Sequence, residues 1–138
     1  MSYKIISKFI KDVSFEIPSA QAFMMLEKEI SNYSLNFDIT SKPFKNNIIE
    51  VNTVLRTTPN QEVKHKILSE ITCTALVALE KKFEDKKELE KIVLIKIPTE
   101  VYSILYDTFV YLFSQSGIKN IQIDKKVDFE KLYNNRKK

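Results

Sequence analysis

Between Lys4 and Glu70 apolar and polar side chains alternate through four successive segments, and this limits the possible folds more than any other feature of the chain. A strand sends successive side chains to opposite faces, so a period of two is a map of two surfaces. In the first segment Ile5, Phe9, Val13, Phe15 and Ile17 share one parity, while Lys8, Asp12, Ser14 and Glu16 take the other. The pattern predicts a strand over about 4–17, stopped at Pro18, which has no N–H for a ladder. The second segment is the clearest: Tyr33, Leu35, Phe37 and Ile39 alternate with Ser34, Asn36, Asp38 and Thr40, predicting a strand over about 33–41. A third strand is expected over about 48–58, with Ile49, Val51, Thr53 and Leu55 on one side and Pro59-Asn60 as the following turn. A fourth is expected over about 63–79, where Val63, Ile67, Ile71, Cys73, Ala75 and Val77 oppose Glu70, Thr72 and Thr74. Leu68 breaks its own rule by sharing the polar face with Glu70. It reads either as an ordinary exposed leucine or as part of a contact surface.

The rest of the chain reads as connections and helices. Ser19 to Ser31 is a loop or short helix, and Glu80 to Lys91 is a highly charged surface connection, with a helix as the alternative to a loop. Pro98-Thr99-Glu100 resembles a helix entrance with Thr99 as N-cap, predicting a helix over about 99–116. Gly117 suits a left-handed stop, with Ile118 supplying its hydrophobic contact. Val101, Ile104, Leu105 and Leu112 form one apolar face of this helix, and Tyr102, Tyr106, Phe109 and Phe113 form another. Packing on its own sheet needs only one such face. The aromatic face is therefore expected to meet a second copy of the chain as an oligomer interface, with a client groove as the alternative. Residues 119–127 read as extended and polar. Asp128 is expected to cap a short helix over about 128–135 carrying Phe129, Leu132 and Tyr133.

Composition narrows the function classes. A chain of 138 residues, 43% hydrophobic, fits one domain with a real core. A single cysteine, Cys73, can form no internal disulfide, which points to a reducing compartment. No run approaches the roughly 20 apolar residues of a membrane span, and no basic-then-apolar leader opens the chain. A soluble, cytoplasmic protein with no direct membrane insertion is expected. The 22 basic and 18 acidic residues give a net charge of +4 but a mixed surface. Lys81-Lys82 and Lys86-Lys87, for example, are interrupted by Glu84, Asp85 and Glu88, not the one-signed stripe that nucleic acid favours. Gly117 is the only glycine, which leaves no phosphate-binding loop. His65 and Cys73, eight residues apart in the fourth segment, would sit roughly 26 Å apart and could not share a metal ion. Asp12 and Glu16 would be roughly 13 Å apart, too far to share a proton. No metal, cofactor or catalytic residue is expected, and the chain does not read as an enzyme.

The segment Lys11-Asp12-Val13-Ser14-Phe15-Glu16-Ile17-Pro18 resembles the opening strand of the SecB family of bacterial protein-export chaperones. Leu35-Asn36-Phe37-Asp38 is similar to the family's second strand, Ile49-Glu50-Val51 with Val54-Leu55 to its third, and Leu68-Ser69-Glu70 to its fourth. Pro98 and Gly117 bracket the long helix at the family's spacing. Val127-Asp128-Phe129-Glu130, then Leu132-Tyr133, resembles the closing segment. Order and spacing carry the likeness across residues 1–138 as a single domain. The departures are a mildly basic charge where the family is acidic, a basic end at Arg136-Lys137-Lys138 where the family carries an acidic tail, and Tyr102-Ser103-Ile104-Leu105-Tyr106 in place of a proline-aromatic helix opening.

The resemblance implies an α+β fold, a four-stranded antiparallel sheet with helices packed on one face, assembled as a dimer of dimers, that is, a homotetramer. It implies an ATP-independent holdase that binds unfolded precursor proteins and passes them to the translocase motor SecA. Asp12, Glu16, Leu68 and Glu70 match the positions that dock the motor. Tyr33, Leu35, Phe37, Phe129 and Tyr133 are the candidates for holding clients, against the alternative that Leu35 and Phe37 fill the core. Two further readings stand beside this one: a chaperone of the same fold dedicated to a toxin-antitoxin pair, and a basic nucleic-acid-binding module.

Overall fold

A computed structural model describes residues 3–80, 86–118 and 121–136. The cluster Lys81-Lys82 with Phe83, Glu84 and Asp85, the pair Lys119-Asn120, and the terminal residues 1–2 and 137–138 lie outside them. Four strands form one antiparallel sheet: β1 (Tyr3–Glu16), β2 (Tyr33–Lys45), β3 (Ile48–Pro59) and β4 (Leu68–Leu79), in the order β1-β4-β3-β2. β1 and β2 are therefore the edges. A helix α1 (Ala20–Glu29) follows β1, with the Ser19 hydroxyl accepting from the Ala22 N–H at 3.0 Å as its N-cap. The β2–β3 turn passes through Asn46, held at φ 51°, a left-handed conformation that asparagine tolerates.

One sheet face is buried as the alternation predicts. Val51, Thr53 and Leu55 of β3 and Ser69, Ile71, Cys73, Ala75 and Val77 of β4 all lie in the core. Burial raises the Cys73 thiol above its ordinary pKa, which leaves it a small inert filler. On the opposite side, the open face, no helix packs among the described residues.

Two expectations about the strands need correction. β4 begins at Leu68, not near Val63, because residues 60–67 are irregular, so His65 does not share a strand face with Cys73. Ile67 still plugs the core, and its N–H donates to the Tyr33 hydroxyl at 3.2 Å. In β1 the single parity fails in the middle. The pairing with β4 slips between Ile5 and Ser7 and again between Ile10 and Asp12. Each slip is a bulge that adds one residue and reverses the faces of the residues after it. The two reversals cancel, so Ile5, Val13 and Phe15 face the helices as expected. Between the bulges, Lys8 pairs beside Ala75 on the helix side and Phe9 beside Thr74 on the open face.

The helical layer also differs from expectation at its start. Helix α2 (Lys86–Lys91) runs through a π turn (Ile92–Lys96) directly into α3 (Ile97–Gln115). Thr99 is inside this helix and is not its N-cap: its hydroxyl donates to the Ile95 carbonyl at 2.6 Å. The reason lies with Pro98, whose ring would collide with the carbonyl four residues back in an ordinary helix. The wider turn, in which the Ile97 N–H donates to the Ile92 carbonyl, lets the helix continue through it. The C-terminus follows the sequence. Gly117 has φ 90°, its N–H donates to the Ser114 carbonyl at 3.1 Å, and the Ile118 N–H donates to the Phe113 carbonyl at 3.0 Å. That is a Schellman stop with Ile118 buried. The last helix, α4 (Phe129–Arg136), is capped by the Asp128 carboxylate, which accepts from the Lys131 N–H at 3.0 Å.

Candidate functional site

The open face is laid out in rows by the strand register. Glu16 stands beside Leu68, Ser14 beside Glu70 and Asp12 beside Thr72. Residues directly opposite in an antiparallel pair point to the same side. Asp12, Glu16, Leu68 and Glu70 therefore share one face, at one end of the sheet, away from the helices. Leu68 is 44% exposed, so its apolar side chain is offered to solvent among carboxylates. Glu70 is partly engaged: Arg56, its register partner on β3, places Nε 2.6 Å from its carboxylate. In the middle of the face Asn52 accepts from the Thr74 hydroxyl at 2.6 Å and donates to Glu50 at 2.9 Å. Glu50 also takes Lys11 at 3.1 Å and lies 3.8 Å from Lys42. The Asn52 amide first, then the Lys11 ammonium, hold the Glu50 carboxyl below its ordinary value of 4.5.

The other surface is a groove on the helix side of edge strand β2. Leu35, Phe37 and Ile39 form one wall; Leu94 of the π turn and Leu132 and Tyr133 of α4 are among the residues opposite, around a cavity of about 370 Å³. Its inner end is a cluster of rings: Phe37 meets Phe129 edge-on at 5.0 Å between centroids, and Tyr102 at 5.9 Å. A more open hollow of about 700 Å³ continues past Tyr33 and Leu35 to Ile121 and Ile123. The Tyr102 hydroxyl donates to the Asp124 carbonyl at 2.5 Å and pins that segment. Burial raises the Tyr102 pKa to about 12, so the phenol stays protonated as this donor. Tyr133 is fixed by a 2.6 Å hydrogen bond to Glu90.

Of the five client candidates, Tyr33, Leu35 and Phe37 are half-buried and line these hollows, whereas Phe129 and Tyr133 are buried and serve as walls. Ile39, Leu94 and Leu132 are apolar lining residues missed as candidates from sequence, although Leu132 lies on the short helix expected there. Ile39 shares the parity of Leu35 and Phe37, which was the available signal. Leu94 had none, because only the π turn aims it into the groove.

The four interface candidates on α3 separate. Tyr102, Phe109 and Phe113 are buried inside the chain, Phe113 beneath Phe15 at 5.1 Å, and only Tyr106 keeps partial exposure. The sheet claims the aromatic face because it lies on the same side of the helix as Val101 and Leu105, which the core also buries. Apolar surface is instead left at Tyr111, 62% exposed on the outer side of α3, and at Ile10 and Val13 on the edge strand β1. Among the described residues no three His, Cys, Asp or Glu side chains are grouped to hold a metal ion. No helix among them is long and apolar enough to cross a membrane.

Residues 1–138 match the family model described as SecB, preprotein translocase subunit SecB. The chain belongs to the SecB family. A curated SecB protein-export homologue from Pelagibacter ubique (strain HTCC1062) is 45% identical over 135 residues, covering 98% of this chain and 96% of the relative. Among solved structures, a SecB-like chaperone from Mycobacterium tuberculosis, in complex with a ChAD peptide from an antitoxin, matches with a TM-score of 0.69 at 10% identity, covering 91% of this chain and 88% of that one. A Streptococcus agalactiae protein of unknown function matches at TM-score 0.57 and 9% identity, covering 90% of this chain and 98% of that one. These two likenesses are of fold. Family membership and the close relative together make the chain a SecB-type chaperone, in a family of chaperones and not of enzymes.

Proposed function

We propose that this chain is an ATP-independent holdase that keeps unfolded precursor proteins in the β2 groove and delivers them to the SecA motor at the acidic end of the open face. The observation that carries the reading is the register. It gathers Asp12, Glu16, Leu68 and Glu70 on the face opposite Leu35, Phe37 and Ile39, so client and motor have separate surfaces. Apolar burial contributes about 25 cal/mol per Å² without any sequence requirement, which suits a groove that accepts many clients weakly. Several grooves on one oligomer would then add by effective concentration. A dimer-of-dimers assembly in the cytoplasm belongs to this reading, with Tyr106 and Tyr111 of α3 and the Ile10–Val13 stretch of β1 as the apolar surface offered to other copies.

The test is a pair of variants. Asp12→Lys with Glu16→Lys is expected to abolish SecA binding while suppression of precursor aggregation persists; Phe37→Ser is expected to do the reverse. Equal SecA affinity in the charge-reversed protein refutes the docking assignment. The dedicated toxin-antitoxin reading draws no support from a fold likeness at 10% identity. Recovery of an antitoxin in place of precursors as the co-purified client would establish it.

A further inference from the structure

The open face is electrically polarised along its length, and only its acidic end has been given a partner. Reading the rows from the other end, Lys4, Ala78, Ile48 and Lys45 come first, followed by Ser7, Leu76, Glu50 and Lys42, with Lys11 reaching Glu50 from its bulge. Those two rows hold three lysines, and a fourth with Lys11 reaching in, against one glutamate. Past the neutral row of Phe9, Thr74, Asn52 and Thr40, the next contains Asp12 and Asp38. From there to Glu16 the paired strands hold four carboxylates against Arg56 alone. Lysine and carboxylate ends are thus separated by one uncharged row. Glu80 follows β4 at the lysine margin and leaves the excess positive. Glu50 already satisfies Lys11 and Lys42, whereas among the described residues Lys4 and Lys45 meet no carboxylate. Apolar groups are exposed beside this end: Phe9 of the neutral row is 43% exposed and Phe44 of β2 is 53% exposed.

We propose that this lysine-rich end is a second docking site, for an acidic peptide segment of a protein partner that carries a few apolar side chains. Charge complementarity names the chemistry, and apolar contacts are available beside the ammonium groups, at Phe9 in the next row and at Phe44, the unpaired residue of the β2 bulge, whose ring centroid lies 5.9 Å from Lys45 Nζ. A nucleic acid fits less well. A phosphate chain running along the face would pass Glu50 and, about 13 Å further along the strand, reach Asp12 and Asp38. A peptide can instead reverse its own charge, so the polarity of the face also sets the direction in which a partner lies. The site does not depend on SecA docking at the opposite end.

The experiment uses three fluorescein-labelled probes at low ionic strength, where the Debye length is about 30 Å. They are a peptide of alternating glutamate and serine with a central phenylalanine, its lysine counterpart, and an oligothymidylate. The glutamate peptide is expected to bind and to shift the amide resonances of Lys4, Lys42 and Lys45. Lys4→Glu with Lys45→Glu is expected to weaken it about tenfold or more, a change that salt diminishes. Glu50→Gln, which frees Lys11 and Lys42, is expected to tighten it. Precursor holding by the folded variants, measured alongside, is expected to stay unchanged. Failure of the glutamate peptide to bind, binding that ignores both substitutions, or tighter binding of the oligothymidylate at the same lysines overturns the proposal.

Discussion

Phe113 separates two accounts of the long helix, because its ring would serve a partner in one and the chain's own core in the other. The structure buries it completely, with Phe109 at 4.6 Å and Phe15 of β1 edge-on at 5.1 Å. Truncating a buried phenylalanine to alanine costs about 3–5 kcal/mol through lost transfer energy and the cavity left behind. At about 2.1 cal/mol/K per residue, 138 residues give an unfolding entropy for which each kcal/mol is worth about 3.4 °C. Phe113→Ala should therefore lower the melting temperature by about 10–17 °C. Denaturant unfolding followed by tyrosine fluorescence, repeated over a range of protein concentrations, distinguishes core from interface. A core residue lowers the midpoint by the same amount at every concentration, whereas an interface residue makes the loss depend on concentration. Tyr111→Ser is the companion variant, expected to leave chain stability within about 0.5 kcal/mol and to act only on assembly. An unchanged midpoint for Phe113→Ala, with lower particle mass by light scattering, would refute the packing described.

Gly117→Ala is expected to cost roughly 1–2 kcal/mol, read as a lower denaturant midpoint, because φ 90° is a left-handed conformation that a Cβ resists. The new Cβ would meet Phe23 at an ordinary 3.4 Å, so backbone strain and not collision sets that cost. Glu50 has a depressed folded-state pKa, so its contribution to stability is present above pH 4.5 and is lost as pH falls through the folded value. Glu50→Gln should accordingly flatten the acid limb of melting temperature against pH; an unchanged limb counts against the Asn52–Glu50–Lys11 network. Tyr102, at about 12, has the opposite sign: its contribution is complete below about 10 and declines as pH rises towards 12. Tyr102→Phe should lose about 1 kcal/mol at neutral pH with the Asp124 hydrogen bond and reduce the alkaline decline in a thermal titration.

Much of the fold was legible because its signals are local. The alternation from Tyr33 to Ile39 specifies a strand and its faces without reference to any other segment. Gly117 followed by Ile118, and Asp128 before Phe129, specify helix ends through bonds within a few residues. Other features depend on distant partners. A bulge adds a residue without changing residue type, so nothing between Ile5 and Asp12 shows where pairing with β4 slips and turns Phe9 to the open face. The π turn before Pro98 likewise relieves a clash that a helix-entrance reading avoids by starting the helix later. Tyr102, Phe109 and Phe113 read as a second apolar face because helical periodicity records which residues are greasy, not which side the sheet occupies.

The amino-acid pattern by itself determined the four strands, the long and short helices, and a polar sheet face carrying Asp12, Glu16 and Glu70, since each follows from side-chain period and end-capping chemistry within a short stretch. The tertiary structure alone decided which residues stand side by side: Glu16 with Leu68, Arg56 with Glu70, Leu94 across from Phe37, and lysines at one end of the open face with carboxylates at the other. Those neighbours are set by cross-strand register and helix docking, which bring together residues far apart along the chain and leave no trace in local periodicity.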